Sequence, residues 1–460
     1  MTSETRDSSE KLDFKRVLPI FVIVLVGLLG LTIIIPLLPL YAASFGADPF
    51  IIGLLGATYP LMQFIGAPIL GRLSDRYGRK PILVISQIGT LAGFLLLGFA
   101  NALPLLFLSR IIDGISGANI STAQAAISDV TTDKNRTQGL GLIGAAFGLG
   151  FIIGPVIAFV TLALTNNDYR APAFVAAGFS LISILLTVFW FQETLPAENR
   201  GSGSSRAAIS LQAMGQALRH PSVGLLLFLI FAQQLAFGGF EQLLSVFTLN
   251  RLGLNASGNA VVFVFVGVIL VAVQGGLVGR WSRAIGDRRL IFAGLGLLAV
   301  GLALIAFTPQ QPPPWYSRAA LEAELNASAT AQDATPTSPE TAVALPDDAN
   351  TGWLGLLWIL AAMIPVGIGG GVLQPTINSL ITKRVAAAEI GGMLGMSAAF
   401  LSAANALAPA LGGAVFQAAG PTVLFLIWGG LMAVLLLVAV RRLTPGREES
   451  ADPGLVRGAH

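Results

Sequence analysis

An arginine and an aspartate stand three residues apart within an otherwise uncharged run. They are Arg110 and Asp113 in "LLFLSRIIDGISGANISTAQAAIS". On a helix this spacing puts them one turn apart on one face. In a bilayer, a charge at mid-depth costs roughly 2.5–3.5 kcal/mol even on the permissive insertion scale. Such a pair is expected to face an interior cavity rather than lipid. Its chemistry would be reversible protonation: Asp113 binds and releases a proton, while Arg110 tunes its affinity and responds to its charge. The alternative is a buried salt bridge that only staples the helix. Gly114, Gly117, Ser121, Gln124 and Ser128 continue the same stripe.

Glu241, in "FGGFEQLLSVF", is the other acidic residue deep in an apolar run. It is a second candidate for proton coupling, a counter-ion for a cationic substrate, or an outer-gate group; an interfacial carboxylate is the competing reading. Neutral polar groups at similar depth are Gln63, Gln124, Gln233, Gln234, Gln274, Gln374, Asn378 and Asn405. They are candidates to hydrogen-bond a substrate, since a pocket needs a few placed polar groups among apolar walls. Each could equally tie helices together. Phe237, Phe240 and Phe247 could line a pocket or fill the lipid-facing surface.

A dense charge knot, "GRLSDRYGRKPIL", runs from Gly71 to Leu83 between two long apolar stretches. Its charges are Arg72, Asp75, Arg76, Arg79 and Lys80. It reads as a reversible latch. Asp75 can accept from helix N-terminal amides and pair with arginine. Arg79 can reach Asp129 in "ISDVTT", and Gly71 and Gly78 permit close backbone approach. The plainer reading is a basic loop that only sets topology.

The elements that must position these groups follow from composition. Of 460 residues, 54% are hydrophobic and 11% charged, with mean hydropathy +0.76. Soluble domains carry about 25% charged residues. So apolar a chain needs lipid as its main solvent. Cysteine is absent, which excludes disulfides and thiol chemistry. The two histidines, His220 and His460, fall in polar segments, so no metal centre is expected. No phosphate-binding Gly-x-x-x-x-Gly-Lys-Ser/Thr loop occurs, so ATP-driven transport finds no support. No triad or cofactor motif points to an enzyme, and a net charge of +3 points to no nucleic acid.

A spanning helix needs roughly 20 apolar residues. Twelve runs qualify: 18–41, 51–70, 82–100, 104–128, 139–164, 171–191, 222–248, 259–279, 290–308, 353–381, 391–416 and 421–440. The first reads as a retained helix rather than a signal peptide. Of the 27 lysines and arginines, only Arg170, Arg251 and Arg318 fall in loops of one side, and Arg110 lies within a helix. The rest share the other side with both termini, which predicts cytoplasmic ends. The expected order is an N-terminal tail (1–17), a six-helix bundle (18–191), a cytoplasmic linker (192–221), a second bundle (222–440) and a tail (441–460). The Pro/Ala/Thr-rich external loop at 309–352 is expected to be disordered. Asn255 and Asn326 begin external sequons, usable only in a eukaryotic secretory route.

The halves repeat. "GRWSRAIGDRRLI" after the eighth run echoes the knot after the second, with Arg283 opposite Asp75 and Asp287 opposite Arg79, and is expected to be a weaker latch. Gly150 and Gly154 before Pro155 match Ala404 and Ala408 before Pro409, suited to close helix packing or a hinge. Parallel repeats predict an all-α membrane protein of two six-helix bundles, with a substrate site between them near the midplane.

These residues resemble the major facilitator superfamily. Gly71-x-Leu73-x-Asp75-Arg76-x-Gly78-Arg79-Lys80 matches its signature loop at every defining position. Arg110-x-x-Asp113-Gly114 is similar to its fourth-helix signature, with Asp113 where glutamine is common. Gly150-x-x-x-Gly154-Pro155 is similar to the fifth-helix signature of antiporters, with Ala158 and Phe159 where two glycines are usual. The resemblance covers nearly all of 18–440 and is nearest to the drug:proton antiporters, which include tetracycline and multidrug exporters. It implies a monomeric carrier in a plasma or bacterial inner membrane. By that resemblance it exports amphipathic small molecules in exchange for protons, without a cofactor. The first helix carries no acidic residue, unlike tetracycline exporters, which argues against a metal–tetracycline substrate. A symporter or facilitator for a sugar or metabolite is the alternative within transport, and a non-transporting receptor or scaffold the alternative outside it.

Overall fold

Proline and glycine set where the helices begin, break and turn. The computed structural model describes residues 14–117, 119–131, 136–200, 211–221, 223–330, 343–385 and 390–443. Every regular element among them is helical. The first span is α1 (Phe14–Ile34) and α2 (Leu38–Ser44), interrupted at Pro36; the carbonyl freed there accepts from Ser245 Oγ at 3.0 Å. Asp48 caps α3 (Pro49–Tyr77) by accepting from the Ile51 amide at 2.8 Å, with proline in the first turn. There follow α4 (Arg79–Gly98), α5 (Leu103–Ser116), α6 (Asn119–Asp129), α7 (Arg136–Leu164) and α8 (Ala171–Phe189). The short α9 (Leu211–Leu218) leads into the second half: α10 (Gly224–Leu252), α11 (Ala256–Ala272), a π turn (Val273–Leu277), α12 (Val278–Ile285) and α13 (Asp287–Ala306). The rest is α14 (Arg318–Thr330), α15 (Leu354–Thr382) and α16 (Ile390–Arg442).

Nine of these stretches are long and apolar enough to span a membrane. The last is two spans joined at Gly420, whose φ of 83° breaks the helix before Pro421. With α5–α6 and α7 the spans number twelve. The fourth span differs from its expected continuity: α5 stops at Ser116 and α6 starts at Asn119. Gln63 Nε2 donates to the Gly117 carbonyl at 3.0 Å, satisfying a backbone group released at this break.

Two bundles result. In one, α1 packs on α7 and α8, α4 on α5 and α8, and α3 on α5; in the other, α13 packs on α15 and α16, and α10 on α16. They meet where α3 lies along α16 and α7 along α11. This seam is closed at the end bearing the α13–α15 connection, hereafter the loop end. Gly53 abuts Pro409 and Gly413, and a Cβ on Gly413 would lie 2.5 Å from the Pro49 carbonyl oxygen. A Cβ on Gly267 would stand 2.6 Å from the Phe151 carbonyl oxygen. Backbone approaches of this kind exclude side chains and maximise dispersion contact in lipid.

Composition predicts disorder across 309–352, and the structure corrects this. Arg318–Thr330 is helical, and Leu321 and Leu325 on it are buried in the main core. Trp315 meets Trp353 edge-on at 5.4 Å, and Tyr316 Oη donates to the Pro346 carbonyl at 2.9 Å. Residues 331–342, 1–13 and 444–460 lie outside the described residues.

Candidate functional site

Arg110 and Asp113 form the buried pair that their spacing requires. Arg110 Nη1 donates to Asp113 Oδ2 at 3.0 Å, and both side chains are at most 2% exposed. The guanidinium also lies 5.6 Å from the Phe94 ring centroid, a cation–π contact in a dry setting. Bulk is excluded around the pair by glycine. A Cβ on Gly93 would lie 2.8 Å from Asp113 Cβ, and one on Gly114 2.6 Å from the Tyr59 carbonyl oxygen.

The pair does not face the space between the bundles. Asp113 borders a cavity of about 40 Å³ inside the first bundle, walled by Val24 and Gly27 of α1, Tyr59 of α3, Gln87, Thr90 and Phe94 of α4, and Ser180 and Ser183 of α8. Gln87 Nε2 donates to Ser183 Oγ at 2.9 Å, and Ser180 Oγ to the Gln87 carbonyl at 3.2 Å. Three polar atoms nearby, Gln87 Oε1, Thr90 Oγ1 and Arg110 Nη2, lack a hydrogen-bond partner among the described residues. A water needs roughly 10–15 Å³ of such space and two to four polar partners, and this cavity meets both conditions. It is too small for a drug-sized molecule, whose pockets run to about 300–1,000 Å³. Gln87 and Thr90 are the residues that sequence reasoning missed here. Their three-residue spacing in the third span was the available signal.

The knot after α3 is a network centred on Arg79, which is 3% exposed. Its Nε donates to Asp129 Oδ2 at 2.9 Å, and its Nη1 to Asp75 and to Ser74 Oγ at 2.8 Å. The role expected of Asp75 at helix amides belongs instead to Glu193, after the sixth span. Glu193 accepts from the Arg79 and Lys80 amides at 2.9 and 3.1 Å, at the positive end of α4. Gly78, at φ 105°, makes room: any side chain there would run into the Glu193 carboxylate. Lys80 Nζ donates to the Val188 carbonyl at 2.9 Å, and Arg76 stacks over Tyr77 at 5.3 Å. A Cβ on Gly71 would meet open space, so no close approach constrains it in this conformation.

The second knot is a charge-reversed copy. Gly286 turns at φ 82° as Gly78 does at 105°. Asp287, in the place of Arg79, is buried, accepts from Ser282 and from Ser379 Oγ at 2.7 Å, and pairs with Lys383 at 3.3 Å. Ser282–Asp287–Lys383 thus repeats Ser74–Arg79–Asp129 with opposite sign. The contacts described for each knot lie within its own bundle.

Glu241 of α10 is half-buried, and no hydrogen bond or ion pair reaches it from the described residues. Several neutral candidates are engaged with other side chains, between helices or along one helix. Gln234 Nε2 donates to Asn405 at 2.8 Å, Gln233 to Gln234 at 3.4 Å, and Ser397 Oγ to Asn378 at 2.7 Å. Gln63 serves the break at Gly117. That leaves Gln124, exposed on α6, Gln274, exposed in the π turn, and Gln374, half-buried on α15, without such a tie among the described residues. Phe240 and Phe247 neither line a pocket nor face lipid: they are buried against Phe425 at 6.5 and 4.8 Å. Gly150 and Gly154 of α7 face Thr32 of α1, while Pro409 meets Gly53 and Gly56 of α3.

Comparison with known proteins agrees with this architecture. The Major Facilitator Superfamily profile matches residues 20–321 and 349–458. The Escherichia coli class B tetracycline resistance protein is 27% identical over 418 residues, covering 90% of both chains. Multidrug resistance protein 2 of Bacillus subtilis (strain 168) is 25% identical over 405 residues, 86% of this chain and 89% of its own. Among solved structures, the nucleoside transporter NupG superposes with TM-score 0.64 at 14% identity, over 93% of this chain and 99% of its own. The human organic anion transporter MFSD10 (TETRAN) gives 0.58 at 22%, over 92% and 99%. From the twelve spans in two bundles to the profile that runs through both, the observations agree that this chain is a membrane transporter of the Major Facilitator Superfamily.

Proposed function

We propose that the protein exchanges protons for amphipathic small molecules by alternating access, and that it works as an exporter. The observation that carries this reading is the buried Arg110–Asp113 pair beside a water-sized polar cavity within the first bundle. A carboxylate so placed can load and unload a proton without meeting the substrate. Protonation loosens its pair with Arg110, and the packing of α5 against α3 and α4 changes with it. Substrate binds between the bundles, where Gln124, Gln374 and the unpaired Glu241 are its candidate contacts. The tetracycline and multidrug resistance relatives support the choice of substrate class.

The lysine and arginine asymmetry assigns the two knots and both termini to the cytoplasm, and the α13–α15 connection to the outside. With the loop end closed, the conformation then corresponds to a carrier shut on its outer side. The test is uptake in proteoliposomes under an imposed pH gradient, with a panel of amphipathic cations and neutral compounds. At least one compound should move uphill against a proton flux, and Asp113→Asn should abolish that movement. Transport of every substrate indifferent to the gradient would refute the coupling.

A further inference from the structure

The connection between α13 and α15 is built to grip both bundles at once. Its base belongs to the second bundle. Tyr316 packs on Gly253, which turns at φ 61° and where the tyrosine ring leaves no room for a side chain, and the Gly352 amide donates to the Pro312 carbonyl at 2.7 Å. The Arg318 amide donates to Asp348 Oδ1 at 2.8 Å, so α14 springs from a cross-tied platform. From there α14 lies over α2, with Leu321 and Leu325 buried. Between those leucines stands Glu324. Its Oε2 accepts from Asn255 Nδ2 at 3.1 Å, and Asn255 caps α11 of the second bundle. The same carboxylate accepts from Asn167 Nδ2 at 3.1 Å and Tyr169 Oη at 3.0 Å, both on the α7–α8 turn of the first bundle. Asn167 is itself held at φ 60° and accepts from Ser257 Oγ of α11.

We infer that α14 is a clasp on the loop-end gate: it travels with the second bundle and grips the first through Glu324, so that opening this end requires breaking the Glu324–Asn167 and Glu324–Tyr169 hydrogen bonds. This rests on the alternating-access reading above. The geometry sorts the bonds by fate. If α2 and the α7–α8 turn swing away from α11, Asn255 stays with Glu324 because both belong to the second bundle. Asn167 and Tyr169 leave. Hydrogen bonds to a charged group carry two to three times the weight of neutral ones. Two of them, with the buried leucines, bias the gate toward closure. Tyr169 is fully buried and meets Tyr41 edge-on at 6.1 Å, so the grip on the first bundle is anchored in its core.

The chain has no cysteine, so spin labels can be placed at Asn101→Cys and Gln310→Cys, both exposed at the loop end of opposite bundles. Pulsed dipolar spectroscopy on the full chain in nanodiscs then reads the closed-to-open ratio. Glu324→Ala should lower that ratio roughly tenfold or more, and Tyr169→Phe, which deletes one oxygen and keeps the packing, should lower it several-fold. Glu322→Ala, exposed on the same helix and paired with Arg318, should leave it unchanged. If the wild type interconverts between two distances while Glu324→Ala and Tyr169→Phe reproduce its ratio, the clasp is wrong and alternating access stands. A single distance in the wild type at every pH and with every substrate would overturn both.

Discussion

Removing one member of the Arg110–Asp113 pair should harm the fold more than removing both. Asp113→Ala leaves a guanidinium 1% exposed, its Nη2 already unpartnered, with the Phe94 ring and a long bond from Nε to Ser109 Oγ at 3.4 Å to compensate. Stranding one charge of a buried pair costs about 3–5 kcal/mol, two to three and a half orders of magnitude in the folded-to-unfolded ratio. Arg110→Met alone strands a carboxylate in the same place. That group can escape by taking a proton, so its cost should fall at or below the lower end of the range. Arg110→Met with Asp113→Ala removes both charges and keeps most of the volume. The double variant should recover at least half of the loss caused by Asp113→Ala. The measurement is a double-mutant cycle on thermal unfolding of detergent-solubilised protein, read by intrinsic fluorescence, with the aim of a coupling energy and not an absolute stability. Additive single-variant losses would refute the argument, because they would mean that water or lipid reaches both groups and that they do not depend on one another. In transport, Asp113→Asn should abolish pH-driven accumulation while leaving substrate exchange, which needs no net proton movement. Glu241→Gln is the comparison: if it stops uphill movement and Asp113→Asn does not, proton coupling lies on α10.

Other consequences are open to direct test. Glu193→Gln removes the charge that caps α4 and should lower stability by about 1–2 kcal/mol, while Gly78→Ala should cost more, since it meets both an unfavourable φ and the carboxylate; unfolding midpoints decide both. Asp75→Asn or Arg79→Met should weaken the closed form of the knot end and cut transport at near-normal expression; unchanged probe distances there with full transport would reduce the knot to a topology signal. Gly53→Val drives a side chain into Pro409 and Gly413 and should shift the loop end toward opening, visible in the same labelled pair as for the clasp. Burial pushes the Glu324 carboxyl above its ordinary value, against the opposing hydrogen bonds from Asn255, Tyr169 and Asn167; the Tyr169 hydroxyl is pushed up by burial and by Glu324 and remains a donor. Asp168 and Arg170 flank Tyr169, and Arg318 and Glu322 pair on α14 itself. A value raised in the closed state means that closing takes up a proton, so acid at the loop end should favour closure. That gain is complete below the carboxyl's ordinary value and lost as pH rises through the raised one, and Glu324→Gln should flatten the profile. A cysteine at Thr335 should react with an impermeant reagent from outside the cell; reaction only from inside would invert the topology.

What could be read from the sequence was what repeats locally. Arg110 and Asp113 are legible because one helical turn joins them. Asp75, Gly78 and Arg79 are legible because a fixed turn does. The twelve spans follow from length and apolarity, including the division of the last stretch in two, which falls at Gly420 with its φ of 83°. Glu193 was illegible for the opposite reason. Its partners are the amides of Arg79 and Lys80, far away in the chain, and an acid just past a span looks like any loop charge. The α14 helix was hidden by its flanks: the proline-rich arms on either side dominate the composition, whereas the informative signal is Leu321 and Leu325 one turn apart with Glu324 between them. Burial of two leucines supplies what average composition denied.

The two knots show how a repeat can keep its geometry while changing its electrostatics. Ser74–Arg79–Asp129 and Ser282–Asp287–Lys383 share the glycine turn, the serine and the cross-bundle-helix partner, yet every charge is reversed. A helix N-terminus favours an anion. In the second bundle Asp287 meets that preference directly. In the first, Arg79 opposes it, and Glu193 must be recruited from beyond the sixth span to restore it. The first knot is therefore tied to the segment that leads into the linker between bundles. A displacement of Glu193 would act, through the Arg79 amide, on the residue that holds Asp75 and Asp129. The recruitment of Glu193 is a feature that the twofold repeat would not suggest, and it follows from the sign of a single side chain at the start of α4.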